Sequence, residues 1–251
     1  MGSSQNISSC SASRCNQVIK IFTNQSLFGE KELFLQKKKM KYDLSESISQ
    51  RSSGEKDAEN HRIKEISDEL RRRSQLYETE HGDSEVHVNH FEAEQRVAEL
   101  FAKENDLWIS MEDAFRIGVP GPSGHENYTF ISQDTIFKIN NLLNNGGIAN
   151  LLDKIVFHNT IFPETFYYLI GFAGYDGRSV MPILRQDLIK NASPATSIEI
   201  DTYMSAIGFT KNPIDGKFEN DTFIVWDVVP RNVLKDKEGD IFVIDAEIAA
   251  R

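Results

Sequence analysis

The strongest constraint on the fold is the order of short apolar runs and turn residues between Trp108 and Asp245. Ala114 to Ile117, Tyr128 to Ser132 and Thr135 to Ile139 read as three strands. A Gly-rich G-V-P-G-P-S-G turn and a tight Gln133-Asp134 turn join them. Gly147 to Asn159 reads as a helix, with Ile148, Leu151, Leu152, Ile155 and Val156 on one face. Strands at Thr165 to Phe172 and Ser179 to Leu184 follow, around a turn with Gly174, Asp176 and Gly177. Thr196 and Glu199 form a capping-box pattern for the next helix, and Gly208 marks its stop. Strands at Phe223 to Val225, Val233-Leu234 and Ile241 to Ile244 close the series, the last two around a D-K-E-G-D turn. This is an α+β pattern.

Upstream, Phe91 to Asn105 reads as an amphipathic helix with Val97, Leu100 and Phe101 on its apolar face. Asp57 to about Glu78 is a second one, carrying Ile63, Ile66 and Leu70 and then Arg71, Arg72 and Arg73, which read as a solvated face. The expected organisation is a disordered tail over 1–57, a helical linker region over 58–90 and a folded domain over 91–251. The tail is rich in Ser, Asn, Gln and Lys and has little to bury. Its Cys10 and Cys15 read as free thiols of a reducing cytoplasm, and Met40 is an alternative start. His81, His87 and His90 match no standard metal-ligand spacing. The net charge of −10 disfavours nucleic-acid binding, even with Lys37, Lys38, Lys39 and Lys41 in the tail. No apolar run is long enough for a membrane span.

Chemistry concentrates in W-D-V-V-P-R-N-V-L-K-D-K-E-G-D-I-F-V-I-D. Asp227 precedes Asn232 by five residues, the D-x-x-x-x-N spacing of a kinase catalytic loop. The hairpin Val233-Leu234 against Ile241 to Ile244 is expected to fold Asp245 back beside Asn232. A carboxylate and an amide oxygen there suit Mg²⁺ carrying phosphates. Asp227 would serve as base or orienting group for a hydroxyl acceptor. Upstream, Gly118, Gly121 and Gly124 occupy the position of a phosphate-covering turn, spaced G-x-x-G-x-x-G rather than G-x-G-x-x-G. Lys138 lies on the third strand, where a kinase places its phosphate-binding lysine. Asp153 is the one carboxylate within the helix that follows, and so the candidate acid for Lys138, with Glu126 and Glu164 as rivals.

With these residues in place, the chain resembles the kinase domain found in polyvalent proteins of phages and mobile elements. The resemblance runs from about Glu92 to Asp245. It includes A-K-E-N-D-L-W-I, G-H-E-N-Y-T-F, T-I-F-K-I, H-N-T-I-F-P-E-T-F-Y-Y-L-I-G-F, V-M-P-I-L-R-Q and M-S-A-I-G-F. It implies a compact protein-kinase-like fold, with an N-lobe of antiparallel sheet plus helix. It implies ATP and Mg²⁺ as cofactors and phosphoryl transfer to a hydroxyl, with protein Ser, Thr or Tyr as one option. By position, Lys138, Gly121 and Gly124 would meet ATP phosphates. Leu184, Arg185 and Gln186 would fall at the hinge near adenine. Asp227 would be the catalytic aspartate, and Asn232 and Asp245 the metal ligands. Trp226 stands where ordinary kinases carry Arg, and Ala246-Glu247 where they carry Phe-Gly. Six residues follow Asp245, so a minimal, truncated C-lobe is expected. The competing expectation is an inactive nucleotide-binding or interaction module of a mobile-element protein.

Overall fold

The Gln133-Asp134 turn closes as expected. Gln133 takes a left-handed φ of 54°, and Ser132 pairs with Thr135 across it. This hairpin belongs to the larger sheet of the computed structural model, which describes residues 54–81, 89–175 and 178–251. Cys10, Cys15, Lys37 to Lys41, Met40, His87, Asp176 and Gly177 lie outside the described residues. The chain divides at Glu55 and Lys56, and the fold below is that of the unit Lys56–Arg251.

Five strands form an antiparallel sheet: β1 (Val119–Pro120), β2 (Asn127–Ser132), β3 (Thr135–Asn140), β4 (Tyr168–Tyr175) and β5 (Arg178–Asp187). Their order is β1-β2-β3-β5-β4. Side chains alternate across a strand, so the sheet has two covered faces. Phe130, Ile139, Met181 and Ile183 pack on Met111 and Ala114. Leu169, Val180 and Leu184 belong to the core on the helical side.

Three helices supply that core: α1 (54–81), α2 (His90–Glu104) and α4 (Ile148–Ile161). Ile63, Ile66 and Leu70 of α1 are buried among Val97 and Phe101 of α2 and Leu151, Leu152 and Ile155 of α4. The segment expected as a linker is therefore part of the folded body. The reason is physical: an apolar stripe at helical spacing must be covered by something. Arg72 pairs with Glu69 on its own helix, Arg73 with Glu69 and Glu104, and Arg71 with Asp153 of α4.

Buried polar residues of α2 set the position of the other elements. The Glu94 carboxylate accepts from the backbone N–H groups of Ile148 (2.7 Å) and Ala149 (2.8 Å), capping α4 from outside its own sequence. Gly147 precedes the helix with φ of 154°, and a Cβ there would sit 2.4 Å from a Glu94 carboxylate oxygen. Gln95 meets both backbone groups of Val180.

Two expected strands differ. Ala114 to Ile117 begins as the end of a helical turn, α3 (Met111–Ala114), because Ser110 caps it by accepting from Asp113 N. Residues Pro163–Thr165 form a 3₁₀ turn, so the strand expected from Thr165 starts at Tyr168.

The second half holds α5 (Ser197–Ala206) with the Thr196–Glu199 capping box in place. One small sheet contains β6 (Ser193–Pro194), β10 (Val233–Lys235) and β11 (Ile241–Val243), in the order β11-β10-β6. The other contains β7 (Thr210–Lys211), β8 (Phe218–Glu219), β9 (Phe223–Trp226) and β12 (Glu247–Ala250), in the order β12-β9-β8-β7. Phe162, Ile200, Met204, Val225, Val233 and Val243 form their common core. The architecture is α+β with antiparallel sheets. No helix among the described residues is long and apolar enough to cross a membrane.

Candidate functional site

Lys138 lies in the middle of the five-stranded sheet, paired with Thr129 on one side and Leu184 on the other. Its side chain is buried on the helical face. Nζ donates to the Tyr167 hydroxyl (2.5 Å) and to the backbone carbonyl of Ile244 (3.0 Å). Tyr167 Oη donates to that same carbonyl at 2.7 Å. Burial pulls the Lys138 pKa below its ordinary value; the Asp245 carboxylate opposes this and the Lys154 ammonium adds to it. Burial, and then Asp245, push the Tyr167 phenol well above its usual range.

Tyr167 was not among the residues singled out from sequence, although it lies in the H-N-T-I-F-P-E-T-F-Y block. The structure explains that block. Asn159 accepts from Tyr167 N (2.7 Å) and donates to Tyr167 O (2.9 Å), holding it as a neighbouring strand would. His158 Nε2 faces the Thr165 carbonyl at 3.1 Å, which places the proton on that nitrogen. Burial, with the Lys138 charge second, lowers the His158 pKa to about 3, so the ring is neutral. Gln186 donates to Thr165 O (2.6 Å), and Thr165 Oγ1 donates to Val243 O (2.6 Å). The block thus fixes Tyr167 and the strand end that carries Ile244.

The hairpin expected between Asn232 and Asp245 forms, with Val233 opposite Val243 and Lys235 opposite Ile241. Ile244 N donates to Asn232 O at 2.9 Å. The β12–β9 ladder begins at Glu247 opposite Trp226, so Asp245 and Asp227 leave it from adjacent strands. Asp227 has φ of 57°, a left-handed conformation that Asp tolerates better than most residues. Asn232 Nδ2 donates to the Asp227 carbonyl (2.9 Å) and carboxylate (2.8 Å), which leaves its amide oxygen as an acceptor. Arg231 pairs with the other Asp227 carboxylate oxygen.

Lys138, Lys154, Glu126, His158, Tyr167 and Asp245 line one narrow cavity of about 20 Å³, room for about one water molecule. Asp227 borders a different and larger one, of about 410 Å³, with Lys211, Lys217, Trp226 and Pro230. Asp245 and Asn232 are a carboxylate and an amide, hard oxygen donors of the kind that complete the shell of a Mg²⁺ already carrying phosphate and water. Among the described residues no group of three or more His, Cys, Asp or Glu side chains gathers as a metal site.

Other sequence-chosen residues stand elsewhere. Asp153 is not brought to Lys138: it turns to α1, accepting from Arg71 (2.6 Å) and Ser67 (2.8 Å). Residues adjacent on a helix point about 100° apart, and it is Lys154 that faces the cavity. Glu126 accepts from Asn144 (2.5 Å) and Asn145 (3.3 Å). Glu164 lies near Tyr203, whose phenol burial and the Glu164 charge raise to about 12. Leu184 lines the Lys138 cavity, but Leu184 and Arg185 sit between β3 and β4 with both flanks paired. The chain leaves the sheet only after Asp187. Gly121 N donates to Thr129 O at 2.8 Å, and Gly124 has open space around it. Of the three turn glycines, Gly118 has the closest packing, since a Cβ there would lie 2.6 Å from Ile131 O.

Residues 91–250 match the model of a family described as serine/threonine/tyrosine kinases found in polyvalent proteins. No curated protein matches the chain, and no solved structure does. The matched span contains Lys138, Asp227, Asn232 and Asp245 and most of the chain, and the protein belongs to this kinase family.

Proposed function

We propose that this protein is an ATP- and Mg²⁺-dependent phosphotransferase acting on a hydroxyl, built on a minimal kinase-like fold. In this reading the five-stranded sheet with α4 is the N-lobe, and the two small sheets with α5 are a reduced C-lobe. Lys138 binds ATP phosphates beneath the turn that carries Gly121 and Gly124. Asn232 and Asp245 hold the metal, which when bound neutralises phosphate charge. Asp227 orients the acceptor hydroxyl and takes up its proton. A protein Ser, Thr or Tyr is the acceptor class that the family description suggests.

The observation that carries the reading is the Lys138–Ile244 hydrogen bond, because it ties the sheet lysine to the strand end that presents Asp245. The narrowness of the Lys138 cavity adds a condition: its walls must part before phosphates reach Nζ. Thermal stabilisation tests the binding half. A ligand that binds only the folded state raises stability, so ATP with Mg²⁺ should raise the melting temperature of the wild type and not of Lys138→Ala. An absent shift in the wild type contradicts the proposal.

A second reading is a nucleotide-binding module without turnover. It is favoured by the Asp227 carboxylate, both of whose oxygens are already engaged by Arg231 and Asn232. The Arg231 pair is largely exposed and therefore weak. ATP binding without phosphoryl transfer, in the presence of diverse hydroxyl acceptors, identifies this case.

A further inference from the structure

The α4 residue that lines the Lys138 cavity with a charge is a cation, Lys154, not an acid. Lys154 is only 11% exposed and lines the same cavity as Lys138 and Asp245. It is held by Glu247 of β12 at 3.0 Å and, loosely, by Glu126 at 3.9 Å. Glu126 does not depend on that contact, because Asn144 and Asn145 already donate to it. Among the described residues no carboxylate is in direct hydrogen-bond contact with Lys138; its partners are a hydroxyl and a carbonyl. Two lysines, one from β3 and one from α4, therefore line the same narrow cavity.

Like charges brought together in a low-dielectric site disfavour each other, and the Lys154 charge is one of the causes that lower the Lys138 pKa. An anion between them removes that penalty. Asp245 supplies part of the compensation, and Glu247 anchors Lys154 from the side. Among the described residues no carboxylate forms an ion pair with both ammonium groups. A polyphosphate has the charge and the length to do so.

We propose that Lys154 is a second phosphate-binding cation, which exchanges its loose contact with Glu126 for a phosphate oxygen of the nucleotide held by Lys138. The proposal rests on the phosphotransferase reading and adds to it a specificity-determining residue. Glu126 then acts as a placeholder for the phosphate, occupying Lys154 until nucleotide arrives. The charge of the site selects for nucleoside di- and triphosphates over the nucleoside.

The test is calorimetric titration of the full chain with ATP, ADP and adenosine, on the wild type, Lys154→Gln, Lys154→Arg and Glu126→Gln. Loss of one charge-assisted phosphate contact should weaken ATP and ADP binding in Lys154→Gln by about tenfold or more. Adenosine binding should stay within about twofold, and Lys154→Arg should retain most of the ATP affinity, because only a cation is required. Glu126→Gln removes the competing carboxylate and should tighten ATP binding by roughly threefold. This arm decides the matter if Lys154→Gln does not fold. Wild type that binds ATP alongside Lys154→Gln of equal affinity overturns the role of Lys154 and leaves the phosphotransferase reading standing. An equal loss of adenosine and ATP also overturns it, since that marks a structural lysine. Unchanged or weaker ATP binding in Glu126→Gln does the same. Wild type that binds no ATP removes both the role of Lys154 and the reading beneath it.

Discussion

The ammonium of Lys138 lies 3.0 Å from the carbonyl oxygen of Ile244, 106 residues further along the chain and one residue before Asp245. This bond joins the five-stranded sheet to the C-terminal strands beside the cavity that Lys138 and Asp245 both line. Tyr167 completes it as a three-membered hydrogen-bonded ring. A neutral hydroxyl from outside α4, rather than an acid on that helix, is the side chain that Lys138 meets. Lys138 is thus held by a hydroxyl and a backbone carbonyl, with no direct carboxylate partner among the described residues.

Tyr167→Phe removes that hydroxyl and leaves the ring open. The lost hydrogen bond to a buried cation should lower stability by about 1–3 kcal/mol in urea unfolding. The same variant should weaken ATP-dependent stabilisation, because Lys138 is no longer held. A variant as stable as the wild type, with an unchanged ATP response, shows that Tyr167 does not position the lysine.

His158 should make the fold acid-sensitive. Its folded pKa of about 3 lies below the ordinary 6.5, so the unfolded chain binds the extra proton between those values. Stability is therefore fully present above about pH 6.5 and falls as pH drops through the window. This one group contributes a slope of at most about 1.4 kcal/mol per pH unit. Urea unfolding from pH 4 to 8 measures it. His158→Gln should flatten the slope, and an equal slope in the variant assigns it to other groups.

The Glu94 cap on α4 gives a third expectation. Glu94→Ala leaves the Ile148 and Ala149 N–H groups buried without their acceptor. The cost should be about 2–3 kcal/mol, read by chemical unfolding. Because α4 carries Lys154, His158 and Asn159, weaker nucleotide binding should accompany it. Glu94→Gln, which keeps one acceptor oxygen, should lose less.

Leu70→Ala tests whether α1 belongs to the folded body. Leu70 is fully buried against α2 and α4, and a cavity there should cost about 2–5 kcal/mol. A separate linker helix would instead leave the unfolding of the remainder unchanged.

These sites separate what was legible in the sequence from what was not. The Gln133-Asp134 turn, the Thr196–Glu199 capping box and the hairpin before Asp245 are local features, and their residues specify them within a few positions. The stripe Ile63, Ile66, Leu70 announced a helix with an apolar face. Periodicity cannot say which elements cover that face, so sequence alone does not distinguish a linker helix from one packed on α2 and α4. Asp153 is the carboxylate that sequence offers Lys138, because it lies on the helix after the lysine strand. Which of two neighbours faces inward depends on how the helix is rotated, and packing against Arg71 and Ser67 set that rotation. Tyr167 is seen only once the sheet and Ile244 are assembled in three dimensions. The short strands β6, β7, β8 and β12 carry too few residues for a pattern, and their pairing partners alone define them.

The central claim is that Lys138, Asp227, Asn232 and Asp245 act together in phosphoryl transfer. Incubation of the purified chain with γ-phosphate-labelled ATP and Mg²⁺ tests it most directly, with Asp227→Ala and Asp245→Ala in parallel. The account expects label released as phosphate or transferred to protein by the wild type. It expects both variants to lose about 10²-fold or more of that rate, Asp227→Ala through the removed acid–base group and Asp245→Ala through the removed metal ligand. Transfer at the wild-type rate by Asp245→Ala and Asp227→Ala contradicts the account, and so does the absence of any turnover in the wild type.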